Sequence, residues 1–281
     1  MRLSHSSGID VVNNAIAKLW KKLYFRIPAY IITGCIVLCA SGVLAMDKLL
    51  FPGAGEYRYP KRGNVTLTSG SAELDAFFHR GEPGKPVILY SHGNGETLDS
   101  VIPLLERFTR RGYTVMAYDY AGYGNSTGYP SETQLYSDVE AALKYLTGKQ
   151  NFPVGDITVM GFSLGSGPAC YIAEKYPVKA VVIVSGFASA AQVLLPFPVP
   201  FDQFPNADRL SRCRVPLLIF HGRNDKIVPV RNGEKLFASS VSPLRKIYYE
   251  NAGHNDIFFR TIAFFSKLED FLFEVEQSSG K

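Results

Sequence analysis

Ile157-Thr158-Val159-Met160, followed at once by Gly161-Phe162-Ser163-Leu164-Gly165, is the stretch whose reading decides the fold. Its first four residues form a short apolar run of strand length, and Leu164 to Lys175 behind it carries a helical pattern. A strand that turns sharply into a helix with serine at the bend is the setting a nucleophile elbow requires. The two glycines fit because so tight a turn leaves no room for side chains beside the serine. The plainer reading is that Ser163 only caps the helix that follows it. What decides between the two is whether the rest of the chain supplies a base, an acid and oxyanion donors in suitable places.

Outward from this turn, short apolar runs alternate with longer helical patterns. Val87 to Tyr90, Thr114 to Tyr118, Ile157 to Met160, Ala180 to Val184, Pro216 to Phe220 and Lys246 to Tyr249 read as strands. Between and after them, Val101 to Arg111, Gln134 to Thr147, Leu164 to Lys175, Gly233 to Ser239 and Phe258 to about Val275 read as helices. Such a rhythm predicts an α/β fold, a mostly parallel central sheet with helices on both faces. Val65 to Thr68 and Leu74 to His79 add two strands around the turn signal Ser69-Gly70-Ser71. One segment breaks the rhythm: about 188–213, where Pro196, Pro198, Pro200 and Pro205 interrupt Phe197, Phe201 and Phe204. It is expected to be a small Pro-rich cap over the strand ends, with an apolar acyl pocket beneath, rather than a plain surface loop.

A serine hydroxyl needs an adjacent base. Of the five histidines, His5 and His79 lie in unsuitable places, and His92 and His221 each precede a glycine at a strand end, where structural roles are commoner. His254 follows the strand Lys246 to Tyr249 and is the candidate base. The candidate acid is Asp225, in His221-Gly222-Arg223-Asn224-Asp225, because it follows a strand and lies between serine and histidine in the chain. Asp202 and Asp208 fall in the cap and Asp256 follows the histidine, so all three are weaker candidates. The backbone amides of Leu164 and of Asn94, in Ser91-His92-Gly93-Asn94-Gly95, are the expected oxyanion donors. Asp119-Tyr120-Ala121-Gly122-Tyr123-Gly124 is glycine-rich but has neither a Walker lysine nor a G-x-G-x-x-G pattern, so it does not read as a nucleotide site.

Together these segments resemble the α/β-hydrolase superfamily over roughly residues 56 to 276. Asp119 to Gly124 followed by Pro130-Ser131-Glu132, with Phe204-Pro205-Asn206 ahead of the acid-bearing strand, is similar to a membrane-associated branch that includes protein depalmitoylases. The resemblance implies a serine hydrolase acting on small-molecule or lipid-like acyl substrates, carboxylesters or thioesters, without cofactor or metal. A serine peptidase on the same fold, or a non-catalytic tethered binding protein, are the alternatives. The depalmitoylases carry an N-terminal cysteine cluster for lipidation, where this chain has an uncharged segment.

That segment, residues 27–46, holds 20 residues without a charge and as a helix would reach about 30 Å, the thickness of a bilayer core. Five cations before residue 28 face only Asp10, which predicts a cytoplasmic tail over 1–26, a transmembrane anchor over 27–46, a linker over 47–62 and a catalytic domain over 63–281 on the non-cytoplasmic side. Val43-Leu44-Ala45 leaves a cleaved signal peptide open, whereas Ile32-Thr33-Gly34-Cys35 is a poor lipoprotein box because the apolar run continues past it. The net charge of +5 is nearly all in the tail, which gives nucleic-acid binding little support. Cys170 and Cys213 have no metal-like spacing, and of a disulfide or two buried thiols the thiols are preferred.

Overall fold

Strands β1 (Val65–Ser69) and β2 (Ala72–His79) pair antiparallel about the turn at Gly70, with Leu67 opposite Leu74. Six further strands follow: β3 (Val87–Ser91), β4 (Thr114–Tyr118), β5 (Ile157–Phe162), β6 (Ala180–Val184), β7 (Leu217–Gly222) and β8 (Arg245–Glu250). β3 to β8 are all parallel, and the sheet order is β1-β2-β4-β3-β5-β6-β7-β8. The computed structural model describes residues 59–195, 199, 202–260 and 263–279, with 24, 30, 33, 34, 50, 51 and 55. The chain divides into two compact units, Met1–Leu49 and Leu50–Lys281. Among the described residues no helix is long and apolar enough to cross a membrane, and segment 27–46 lies almost wholly outside them.

The interior strands β3 to β7 are buried along their whole length, which is why they read as continuous apolar runs rather than alternating ones. β8 is the exception. Its Arg245-Lys246-Ile247-Tyr248-Tyr249-Glu250 is half-exposed, as suits an edge strand protected by charge.

Two layers of helix cover the sheet. On one face, α1 (Leu98–Thr109) and α7 (Phe264–Ser279) pack with Ile88, Tyr90, Val115, Met160, Val182 and Leu218 in a single apolar cluster. Side chains of this size each contribute about 2 kcal/mol when buried. On the other, α2 (Glu132–Lys144) and α3 (Ser166–Lys175) pack on each other, and α3 lies on β5 and β6. The short helix α4 (Asn206–Leu210) lies against α3, and α5 (Arg231–Ser239) follows β7.

Two boundaries differ from the sequence reading. Helix α1 starts at Leu98, not Val101, because the Leu98 N–H donates to the buried Asp119 carboxylate at 2.8 Å and the Thr97 N–H donates to Ser100 Oγ at 2.9 Å. The first of these caps comes from a distant strand end. The single helix expected from Phe258 is instead α6 (Ile257–Arg260) and α7, separated by a turn at Ala263. Phe258 packs edge-on against Tyr90 and Phe162, which ties α6 to the end of the sheet.

Within the expected cap, residues 196–198, 200 and 201 lie outside the described residues. Phe204 is fully buried against Phe51, Tyr136 and Phe187, so it packs the domain instead of lining a pocket. Cys170 and Cys213 are buried free thiols, the Cys213 Sγ–H donating to Ala173 O at 3.0 Å.

Candidate active site

The order of the sheet reverses around β3, whose neighbours β4 and β5 are reached by crossovers in opposite directions. In open α/β sheets the crevice beyond the carboxyl ends of the strands at such a point is where ligands bind. Ser163 stands there, directly after β5.

Its backbone has φ of +49°, a left-handed conformation that costs a non-glycine residue about 1–3 kcal/mol. The flanking glycines show what enforces it. A Cβ on Gly161 would come within 2.1 Å of Gly165 O, and one on Gly165 within 2.0 Å of Ser91 O on β3. The bend therefore folds onto itself and onto the neighbouring strand, and only hydrogen fits at either place. Ser166 Oγ donates to Ser163 O at 2.6 Å and fixes the first turn behind it.

His254 and Asp225 arrive from the ends of β8 and β7. Ser163 Oγ–H donates to His254 Nε2 at 3.0 Å, and His254 Nδ1–H donates to Asp225 Oδ2 at 2.7 Å. All three side chains are nearly closed off from solvent. Asp225 Oδ1 accepts the N–H groups of Ile227 at 2.9 Å and Val228 at 2.8 Å, so both carboxylate oxygens are occupied. Burial works against its charge, but the hydrogen bond and charge of His254, with those two amides, hold its pKa below the ordinary carboxylate value. Phe162 packs against the His254 ring at 5.1 Å between centroids, and Ser185 Oγ–H donates to His254 O at 3.2 Å.

The weaker candidates have other tasks. Asp256 accepts the Gly253 N–H at 3.0 Å, which shapes the turn that presents His254. Asp202 accepts the Ala191 and Gln203 amides within the cap segment, and Asp208 is exposed on α4. His221 is buried with its Nε2–H donated to Val228 O at 2.9 Å, and it stands 3.7 Å from Asp225 Oδ2, bracing the loop that carries Asp225. Burial pushes its pKa down.

His92 is buried and donates Nδ1–H to Gly93 O at 2.8 Å, and its Nε2 faces Asp119 Oδ1 at 3.5 Å. Burial lowers its pKa from 6.5 to about 4, whereas burial raises that of Asp119 from 3.8 to about 6, against the hydrogen bonds from Tyr59 and Leu98. The two shifts act oppositely on stability. The His92 contribution is complete above its unfolded value of 6.5 and is lost as pH falls toward 4. The Asp119 contribution is complete below 3.8 and is lost as pH rises through 6. Each is worth about 3 kcal/mol, and on acidification they offset each other. Asp119→Asn keeps the acceptor for Leu98 N–H but removes one side of this balance. The variant should therefore lose about 2 kcal/mol more than the parent between pH 7 and pH 4.5, as read by urea unfolding.

The expected oxyanion loop is held from two sides. Tyr123 Oη donates to Asn94 Oδ1 at 2.5 Å, and Gly93 N–H donates to Glu96 Oε2 at 2.7 Å. The Asn94 N–H donates to no group among the described residues. The Leu164 N–H belongs to the first turn after β5, where amides lack partners within the helix. The sequence reading missed Glu96. Its burial raises its pKa, while the Gly93 amide and the charge of His254 pull it down. The only sequence signal was an acid directly after His92-Gly93-Asn94-Gly95. Glu96→Gln retains an acceptor for the Gly93 N–H but removes the buried charge from this loop. We expect kcat/KM to fall about tenfold, or about 1.4 kcal/mol, with unchanged thermal stability in differential scanning fluorimetry.

No group of three or more His, Cys, Asp or Glu suited to a metal ion occurs among the described residues. Comparison with known proteins places the chain in a family. Residues 86–200 match the family model for the alpha/beta hydrolase fold. The chain is 33% identical over 198 residues to human alpha/beta hydrolase domain-containing protein 17B, covering 69% of each. It is 34% identical over 189 residues to protein 17C of Xenopus tropicalis, covering 66% of this chain and 61% of the relative. Among solved structures, an esterase of Pyrococcus furiosus superposes with TM-score 0.62 at 20% identity, covering 78% of this chain and 99% of the esterase. Est1E of Butyrivibrio proteoclasticus, solved with ferulic acid, gives TM-score 0.60 at 17% identity over 76% and 99%.

Proposed function

Since this chain belongs to the α/β-hydrolase superfamily and is a hydrolase, we propose that it is a membrane-anchored serine esterase or thioesterase working through an acyl-enzyme on Ser163. The observation that carries this reading is the unbroken relay from Ser163 through His254 to Asp225, at 3.0 and 2.7 Å, on a backbone bend strained at the serine. Ser163 Oγ attacks the carbonyl carbon while His254 Nε2 takes its proton, and Asp225 keeps the other imidazole nitrogen protonated. The amides of Asn94 and Leu164 receive the oxyanion. The imidazolium then gives its proton to the departing alkoxide or thiolate. Water, deprotonated by the same nitrogen, frees the acid and restores the serine.

The choice of carboxylester or thioester bonds and of lipid-like acyl groups is supported by the likeness of Asp119 to Gly124 and Phe204-Pro205-Asn206 to the depalmitoylase branch. The uncharged stretch 27–46 supports the anchor, and the five cations before residue 28 support a cytoplasmic N-terminus with the catalytic domain on the opposite side. A fluorophosphonate probe should label Ser163, and a series of acyl esters and thioesters of increasing length should reveal the preferred chain. Folded protein that neither labels nor turns over any of them would refute the reading. In sealed vesicles of cytoplasmic-side-in orientation, added protease should digest the catalytic domain and spare residues 1–26. The reverse pattern would overturn the topology.

A further inference from the structure

Large apolar side chains exposed to solvent are unevenly placed on this domain. Tyr129 (89% exposed), Leu194 (80%), Ile227 (57%) and Phe259 (61%) stand on the segments that leave the carboxyl ends of β4, β6, β7 and β8. Leu195 adjoins Leu194 and is also exposed. These are the strand ends that surround Ser163, at the end of β5. Among the described residues of Leu50–Lys281, only Val241 and Phe273 are comparable elsewhere. Single exposed apolar residues need no explanation, but a group of them round one edge does.

Along one stretch of this edge the charge is one-sided. From residue 223 to residue 235 the exposed charged side chains are Arg223, Lys226, Arg231 and Lys235 against Glu234, because Asp225 is buried. Two of these bases reach the root of the cap segment. Arg231 donates to Val193 O at 3.1 Å, and Lys235 donates to Gln192 Oε1. The basic stretch is thereby joined to Leu194 and Leu195. Ile227 lies next to Lys226, and its N–H holds Asp225. Apolar tips beside bases that form no ion pair among the described residues match a bilayer surface, where the tips enter the acyl boundary and the bases meet lipid phosphates. A protein partner of ordinary composition would match the tips but not this charge excess.

We propose that the carboxyl edge of the sheet around Ser163 is a docking surface for an anionic lipid bilayer, so that the site draws acyl substrates from the membrane rather than from water. This rests on the reading of Ser163 as a nucleophile toward acyl groups, and it names where those groups reside. Leu194, Leu195 and Ile227 enter the lipid, and Lys226 and Arg231 sit at headgroup level beside them.

The test uses the full chain reconstituted in vesicles of phosphatidylcholine alone or mixed with phosphatidylglycerol. The protein has one tryptophan, Trp20, so Trp20→Phe with Leu194→Trp puts the sole indole on the edge. Its emission should be quenched by lipids brominated on the acyl chains, more strongly when phosphatidylglycerol is present. Absence of quenching, or equal quenching in both vesicles, overturns the proposal. A blue shift without bromine quenching would report a protein on this face, such as a second copy, and overturns it as well.

In parallel, Leu194→Ser with Lys226→Ser should slow hydrolysis of a bilayer-resident long-chain ester about tenfold, since each base near such a surface is worth about fivefold in binding. Turnover of water-soluble p-nitrophenyl acetate should stay within about twofold. Equal loss on both substrates overturns docking. If the parent protein hydrolyses neither ester, the nucleophile reading fails and the quenching result alone decides the docking surface.

Discussion

Ser163→Ala should abolish fluorophosphonate labelling and lower kcat/KM for a short-chain ester by about a million-fold, the scale seen when a serine nucleophile is removed from such a relay. The protein should remain folded. The hydroxyl is hydrogen-bonded to His254, which can keep its bond to Asp225. A second variant at the same position separates chemistry from architecture. Ser163 is held at φ of +49° by the closeness of Gly161 to Gly165 and of Gly165 to β3. Glycine adopts that angle without strain, so Ser163→Gly should be as inactive as the alanine variant yet more stable by about 1 kcal/mol. Chemical unfolding in detergent measures this. A glycine variant less stable than the parent would mean that the bend is relaxed and that its conformation is not imposed by the surrounding backbone.

Asp225→Asn should lower kcat by about ten-thousand-fold while leaving the fold in place. The two oxygens of Asp225 have separate partners: Oδ1 takes the Ile227 and Val228 amides, and Oδ2 takes the His254 Nδ1–H. In asparagine the amide oxygen keeps the backbone pair, where an NH2 group would face two donors. The NH2 is then directed at His254 Nδ1, which must accept and so lose its proton. The proton moves to Nε2, which can no longer receive the Ser163 hydroxyl proton. Fluorophosphonate labelling should slow in proportion. A variant that retained a tenth of parental activity would show that the acid is supplied from elsewhere and would remove Asp225 from the mechanism.

These two residues were legible from the sequence for different reasons. Ser163 is announced locally, because a sharp strand-to-helix bend demands glycines at fixed spacing and leaves them in the chain for any reader. Asp225 and His254 were found by chain order and by their positions after apolar runs. Their neighbours remained hidden. Glu96 touches Gly93 within its own loop, yet an acid after a glycine-rich turn carries no pattern. Asp119 caps α1 across 21 residues of sequence, and no spacing rule marks such a cap. Phe204 looked like pocket lining because it is aromatic and lies among prolines, but three rings from separate parts of the domain enclose it.

The sequence by itself determined the class of fold and the mostly parallel sheet, and it singled out Ser163, Asp225 and His254 as candidates. Burial on both faces imposes continuous apolar runs, and a tight bend imposes glycine, so both are written locally. Tertiary structure alone decided that Ser163, His254 and Asp225 meet at 3.0 and 2.7 Å, that His92 and Asp119 are buried as an opposed pair, and that the exposed apolar tips gather at one edge. Each depends on which strand ends become neighbours in space. That is set by the sheet order β4-β3-β5-β6-β7-β8, a property of packing across the whole domain that no short stretch of the chain records.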